Sequence, residues 1–358
     1  MAAGDGYREL AEVLGYPESE RFRRILERLM TEQQARLVVA LPASSEELVG
    51  RLGADLGSVK GMERDLYQKG VIVPKDFQTL EGMRFVRNLI FLHDRVLAVR
   101  AIESLVPGIS DLFDEFLEKE MLPDLARGYA AAGQPFERVL PAYKAVKDNP
   151  DLLPFDDVRE ILKAAQTISV VPCSCRMRTR ACRQTTTDVC MQFDRSAEYG
   201  ISLGTGRKLS YEEALEVIGA AEEAGLVHGW VNAGRLTGGT LCSCCSCCCI
   251  IGRPFIINNI PPGKRWAKSR FEARVDSSLC DGCVNLEKPA CIAAAPEYFR
   301  GCLKMRGMPR SSDYRAEVSA ENCWGCGACA LKCPMGAISM TVVRPAEHIP
   351  PWKGRPQG

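Results

Sequence analysis

Four cysteines near the end of the chain, Cys323, Cys326, Cys329 and Cys333, followed by Pro334, constrain what it can fold into more than any other residues. The spacing Cys-x-x-Cys-x-x-Cys-x-x-x-Cys-Pro is that of a run that holds [4Fe-4S] clusters. Three thiolates at i, i+3 and i+6 reach three corners of a cube from one tight loop. The fourth, on the following turn, ordinarily ligates the other cluster of a pair. Gly325, Gly327 and Ala328 leave room for the backbone to wrap closely around inorganic sulfide. A zinc knuckle uses two separated Cys pairs instead, so this spacing points to iron.

A pair of clusters needs a second run upstream, and Cys280-x-x-Cys283 with Cys291 supplies one with a longer gap. Residues 278–343 resemble two-cluster ferredoxins in order and length. The departure is at Ala295, directly before Pro296, where a cysteine would stand. Because the fourth ligand of each run crosses over, Cys280, Cys283, Cys291 and Cys333 still make a complete set. Cys323, Cys326 and Cys329 lack a partner at 295. Cys302, in a stretch from Arg300 to Arg310 that reads as an inserted loop, is the expected substitute. The alternatives are a [3Fe-4S] cluster or an iron open to a small ligand.

Eighteen cysteines are present, none before Cys173. Without a signal-type N-terminus, this usage points to metal binding in a reducing cytoplasm rather than to disulfides. The net charge of +1 suggests neither nucleic acid nor an anionic membrane as partner, and no apolar run approaches the ~20 residues a membrane span needs. Cys173, Cys175, Cys182 and Cys190 follow an apolar run, Ile168 to Val171, and are interleaved with Arg176, Arg178, Arg180 and Arg183. They suit one [4Fe-4S] cluster, its negative charge offset by the guanidinium groups, and suit zinc about equally. A helix with Ser210 as cap and Glu213 closing a capping box should end at Gly225, before His228, read as a buried, hydrogen-bonded side chain, with a proton donor or a cluster neighbour as the alternatives. Cys242, Cys244, Cys245, Cys247, Cys248 and Cys249 place six thiols in eight residues, the economical reading of which is a cluster-binding loop. The ten central thiols exceed by two what two cubanes use. That excess allows a non-cubane cluster, a redox dithiol or spare residues.

The cysteine-free half reads as helical. Thr31 to Leu41, Ser45 to Leu52 and Leu56 to Lys69 are three helices, and Val71 to Pro74 with Met83 to Val86 form a wing, a winged-helix-like order. Lys60, Arg64 and Lys69 on the third helix are mixed with Glu63 and Asp65, so protein docking is favoured over DNA. Residues from Phe85 to Ala165 are mostly helical by period, cut by six prolines, and His93 reads as a surface or capping side chain.

The motifs Val171-Pro172-Cys173-Ser174-Cys175-Arg176, Gly225-Leu226-Val227-His228 and Cys242 to Cys249, with the terminal ferredoxin unit, resemble a family of uncharacterised 4Fe-4S ferredoxin-domain proteins of anaerobic bacteria. The cysteine doublets are locally similar to the catalytic subunit of heterodisulfide reductases, whose doublets hold non-cubane clusters. The resemblance implies electron transfer in anaerobic metabolism.

The expected fold class is α+β. The expected domains are a winged-helix-like domain (1–82), a helical connection (83–165), a Cys-rich iron–sulfur domain (166–262), a two-cluster ferredoxin-like βαββαβ domain (270–345) and a tail (346–358). The expected protein carries three or four [4Fe-4S] clusters, with a [3Fe-4S] or non-cubane form as the alternative for one of them, and relays electrons between a soluble donor and a partner oxidoreductase. The rivals are a reductase with its active site at the six-Cys loop and an iron–sulfur regulator that binds DNA.

Overall fold

The computed structural model describes residues 5–85, 87–179, 182–184, 186–237, 239–299 and 301–352. Val86 of the wing, Arg180 of the central arginine set, Arg300 of the inserted loop and residues 353–358 of the tail lie outside the described residues. The chain is a mixed α+β protein with a cysteine-rich centre, and it divides into two compact units. One comprises Met1–Leu122, Ser169–Cys182 and Arg195–Lys208; the other comprises Pro123–Ile168, Arg183–Asp194 and Leu209–Gly358.

Local sequence dictates the helices of the first unit. Glu32–Ala40 and Ser45–Leu52 begin at Thr31 and Ser44, each closing a capping box with Gln34 or Glu47, a device worth about 1 kcal/mol per cap. Asp55 caps Leu56–Gln68, and Gly70 turns the chain out of that helix at φ +76°. Ile72–Val73 then pairs antiparallel with Arg84–Phe85. Two helices not anticipated from the sequence, Gly6–Val13 and Glu20–Leu29, precede these, capped by Asp5 and Ser19. Their apolar side chains Leu10, Phe22, Ile25, Leu26 and Leu29 are buried, with Phe22 and Phe116 rings 5.1 Å apart.

His93 is a correction. It is fully buried, its Nδ1 2.9 Å from Asp94 Oδ1 and its ring edge-on to Phe113, because its helix, Leu89–Ala98, turns that face inward. Asp94 also accepts from Ser174 Oγ at 2.6 Å, which ties the turn bearing Cys173 and Cys175 to that helix. Ile168–Pro172, just before that turn, pairs antiparallel with Arg207–Lys208.

In the second unit, Asp188–Phe193 pairs antiparallel with Gly239–Cys244, which pairs antiparallel with Val227–Val231. The latter pairs antiparallel with Glu137–Leu140, which runs parallel to Trp266–Ala267. Glu137–Leu140 falls in the region expected to be mostly helical. Pro135 and Pro141 would confine a helix between them to about one turn, and Val139 and Leu140 instead bury completely in the sheet. Ser210 caps Tyr211–Glu223 with Glu213 closing the box, and Gly225 follows at φ +75°. His228 on the next strand is buried, with Nδ1 3.1 Å from Ser243 Oγ.

After that sheet the order is strand Phe271–Val275, helix Ala290–Ala294, hairpin Leu303–Arg306 with Arg315–Val318, helix Ala328–Lys332, and strand Ile338–Val342. The first and last strands pair antiparallel, Phe271 opposite Val342 and Val275 opposite Ile338. Asp156, fully buried, holds this part to the sheet, accepting from Arg270 Nη1 at 2.8 Å and standing 3.8 Å from Arg138 Nη1. Burial pushes the Arg138 guanidinium down to about 10, a direction that Asp156 opposes. Removing one partner of such a buried set costs about 3–5 kcal/mol.

Candidate metal centres

Cys302, Cys323, Cys326 and Cys329 line one cavity, together with Ala295, Phe299, Leu303, Trp324 and Met340. Gly325 and Gly327, at φ +70° and +80°, shape the loop that presents the three thiols of the run. A Cβ on Gly325 would collide with Ser269 Oγ and the Phe271 carbonyl, so the loop lies directly on the strand Phe271–Val275. Ser269 Oγ donates to the Gly325 carbonyl at 2.9 Å, and the Ala273 N–H points to Cys323 Sγ at 3.5 Å. Cys302 reaches the cavity from the base of the hairpin, its N–H donating to Phe299 O and its carbonyl accepting from Ser319 N–H. Ala295 and Cys302 thus line the same cavity although seven positions separate them.

A second cavity is lined by Cys280, Cys283, Cys291 and Cys333, with Met305, Ala316, Met335 and Ile338. Cys291 comes from the helix Ala290–Ala294, and Cys333 follows the helix Ala328–Lys332. The Ala337 N–H donates to Cys333 Sγ at 3.3 Å. Gly282 at φ +70° passes so close to the Tyr314 carbonyl that a Cβ would collide with it, which locks the Cys280–Cys283 loop against the hairpin. The hairpin serves both cavities. Leu303 and Val318 wall the first, and Met305 and Ala316, the next inward-facing positions on the two strands, wall the second.

Burial pushes the thiols of Cys291 and Cys302 up to about 11 and that of Cys326 up to about 12, and it raises Cys329 too. Left without a cation these thiols stay protonated, so loading metal on them releases protons. Each cavity offers four thiols in mostly apolar walls, with a backbone N–H aimed at one sulfur, and this donor set suits a four-iron cluster. The 4Fe-4S binding domain family matches residues 316–339. That span contains Cys323, Cys326, Cys329 and Cys333 and indicates 4Fe-4S binding. With eighteen cysteines in the chain, it points to iron–sulfur electron transfer. No curated protein and no solved structure matches the chain.

The six-cysteine stretch ends the strand Gly239–Cys244 and continues into a turn. Cys244, Cys245, Cys248 and Cys249 are buried, and Cys242 and Cys247 half-buried. The sulfurs of Cys245, Cys247 and Cys248 lie within 4.8 Å of one another, with Cys245 and Cys248 at 3.1 Å. Hydrogen bonds with Cys242 and Cys249, and then burial, raise the Cys244 thiol well above its ordinary value. Cys190 lies on the strand Asp188–Phe193 of the same unit.

Cys173, Cys175 and Cys182 belong to the first unit. There the hydrogen bond to Cys175, followed by burial, raises the Cys173 thiol. The arginines around them were expected to offset cluster charge. Arg178 is buried and its guanidinium is engaged by Asp114 at 2.7 Å and Glu118 at 3.5 Å, while Arg183, in the second unit, pairs with Glu297 at 3.6 Å.

Sequence spacing did not single out Tyr298, Phe299 or Trp324. Tyr298 is buried, and its hydroxyl donates to the Cys244 carbonyl at 3.2 Å; burial, then the neighbouring cysteine charges, raises its pKa well above the usual range. The available signal was their place: two aromatics between the missing ligand at 295 and the thiol at 302, and a third inside the Cys-x-x-Cys loop.

Proposed function

We propose that this protein is a multi-cluster iron–sulfur electron carrier that relays electrons between a soluble donor and a partner oxidoreductase, in the cytoplasm of an anaerobe. The observation that carries the reading is the pair of cavities in one unit, each lined by four cysteines. Cys280, Cys283, Cys291 and Cys333 would hold one [4Fe-4S] cluster, and Cys302, Cys323, Cys326 and Cys329 another. The central cysteines would hold one or two more, in cubane or non-cubane form. Such clusters accept and donate single electrons when bound. The chain's own residues exclude water with Leu303, Met305 and Phe299, aim N–H groups at sulfur from Ala273 and Ala337, and fix the loops with Ser269. Among the described residues no helix is long and apolar enough to cross a membrane.

The strand and helix order from Phe271 to Val342 supports a two-cluster ferredoxin-like βαββαβ arrangement, and the helices from Glu32 to Gln68 with the small hairpin support a winged-helix-like module. On its last helix Glu63 is buried and hydrogen-bonded to Ser45, and Asp65 engages Lys69 and Gln34. Buried Glu63 adds no charge to the outer face, but Asp65 neutralises Lys69 on it, which favours docking of the redox partner over DNA. Protein isolated without oxygen should contain about twelve to sixteen irons, four per cubane, with matching sulfide and low-temperature EPR signals after reduction. Zinc with little iron would sink the proposal.

A further inference from the structure

The turn between Ala295 and Cys302 carries two aromatic rings into the space between the six-cysteine loop and the cavity that Cys302 lines. Tyr298 and Phe299 lie on one turn of 3-10 helix, Glu297–Phe299. At one end the Tyr298 hydroxyl is hydrogen-bonded to the Cys244 carbonyl at 3.2 Å, and its ring packs so tightly on Gly252 that a Cβ there would come within 3.1 Å. The Tyr298 and Phe299 centroids are 4.7 Å apart, and Phe299 lies flat on Trp324 at 5.0 Å with 7° between the planes. Phe299 and Trp324 both line the cavity with Cys323 and Cys326. A chain of contacts therefore runs from the backbone of Cys244 to the wall of that cavity.

We propose that Tyr298, Phe299 and Trp324 form the electron path between the six-cysteine loop and the site of Cys302, Cys323, Cys326 and Cys329. This rests on the functional reading above, in which both places hold iron–sulfur groups. One electron leaves the reduced group at one end and one is accepted at the other. The rings are neither oxidised nor reduced. They supply bonded and touching orbitals where a gap would couple the ends poorly. No proton moves, since a backbone carbonyl is no base for the tyrosine. Displacing the ligand thiol from 295 to 302 thus has a structural consequence: the residues in between hold the path.

The test uses full-length protein, prepared without oxygen, with iron, sulfide and both midpoint potentials measured. A pulse of photoreduced deazaflavin injects one electron, and transient absorption follows its redistribution between the two sites. Tyr298→Leu should lose the fast redistribution phase and Tyr298→Phe, which removes one buried oxygen, should slow it, with iron content and potentials unchanged. A wild-type rate in Tyr298→Phe at unchanged potentials overturns the path, and that variant decides the matter should Tyr298→Leu shed iron. If wild-type protein holds no iron at the six-cysteine loop, shown by unchanged iron content in Cys245→Ser/Cys248→Ser, the functional reading of that loop fails and the path falls with it. Fast redistribution in the wild type with indifferent variants sinks the path alone.

Discussion

A thiol supplied from seven positions downstream meets the same cavity by a different route, and Cys302 is the residue where that difference is testable. Ala295 and Cys302 both line the cavity of Cys323, Cys326 and Cys329, so either position is within reach of a group held there. Cys302→Ala should convert that cluster to a [3Fe-4S] form, which has its own EPR signal when oxidised, and leave the Cys280, Cys283, Cys291 and Cys333 signal intact. Ala295→Cys in the same background should restore the four-iron form. An unaltered spectrum in Cys302→Ala would show that this thiol is not a ligand. The cysteines were legible because ligand spacing within a run is local. Ser269, which holds the Gly325 loop from 56 positions away, and His93, buried against Phe113, were not, since only the folded packing creates their surroundings.

At the scale of elements, the helices that open on a capping box could be read directly, because the cap and the residue three positions on are a local pair, whereas Gly6–Val13 and Glu20–Leu29, capped without a box, were not. The short strand Glu137–Leu140 could not. Its partners are Val227–Val231 and Trp266–Ala267, and the prolines flanking it were equally consistent with broken helix. The stretch from Arg300 to Arg310 read as an inserted loop, whereas Leu303–Arg306 within it is a strand paired with Arg315–Val318, and neither that pairing nor its work was legible. Alternation along two paired strands turns Leu303, Met305, Ala316 and Val318 to one face, and the step of two residues along it takes Leu303 and Val318 to one cavity and Met305 and Ala316 to the other. A carboxylate placed in either wall should therefore act on one site at a time, by desolvation and by repulsion of a negatively charged cluster. Leu303→Asp should deplete iron from the Cys302 site, and Met305→Asp from the Cys280 site, each removing one EPR component. Loss of both components in either single variant would mean that the hairpin folds or fails as a whole.

Across the whole molecule, connectivity matters more than any single boundary. The chain passes between its two units at 122/123, 168/169, 182/183, 194/195 and 208/209, so no single cut releases either one. Packing in the first unit likewise does not stop at residue 82. Tyr67 Oη is 2.7 Å from Ser202 Oγ, Arg195 donates to the carbonyls of Pro74 and Lys75, and the Arg195 guanidinium lies 4.6 Å from the Phe77 ring centroid. Upstream, Phe22, Ile25, Leu26 and Leu29 are fully buried, each worth about 1.5–3 kcal/mol in apolar burial, and Phe22 meets Phe116. These contacts join segments far apart in sequence, which is why composition alone, with its abrupt onset of cysteine at 173, suggested a separable half. A protease site built into the exposed turn 76–82 tests the point. Cleavage there should give two bands on a denaturing gel but a single peak on size exclusion, because burial across the first unit holds the nicked pieces together. A free fragment of residues 1 to about 79 eluting alone, with the remainder keeping its native melting transition, would show that the two pieces fold separately.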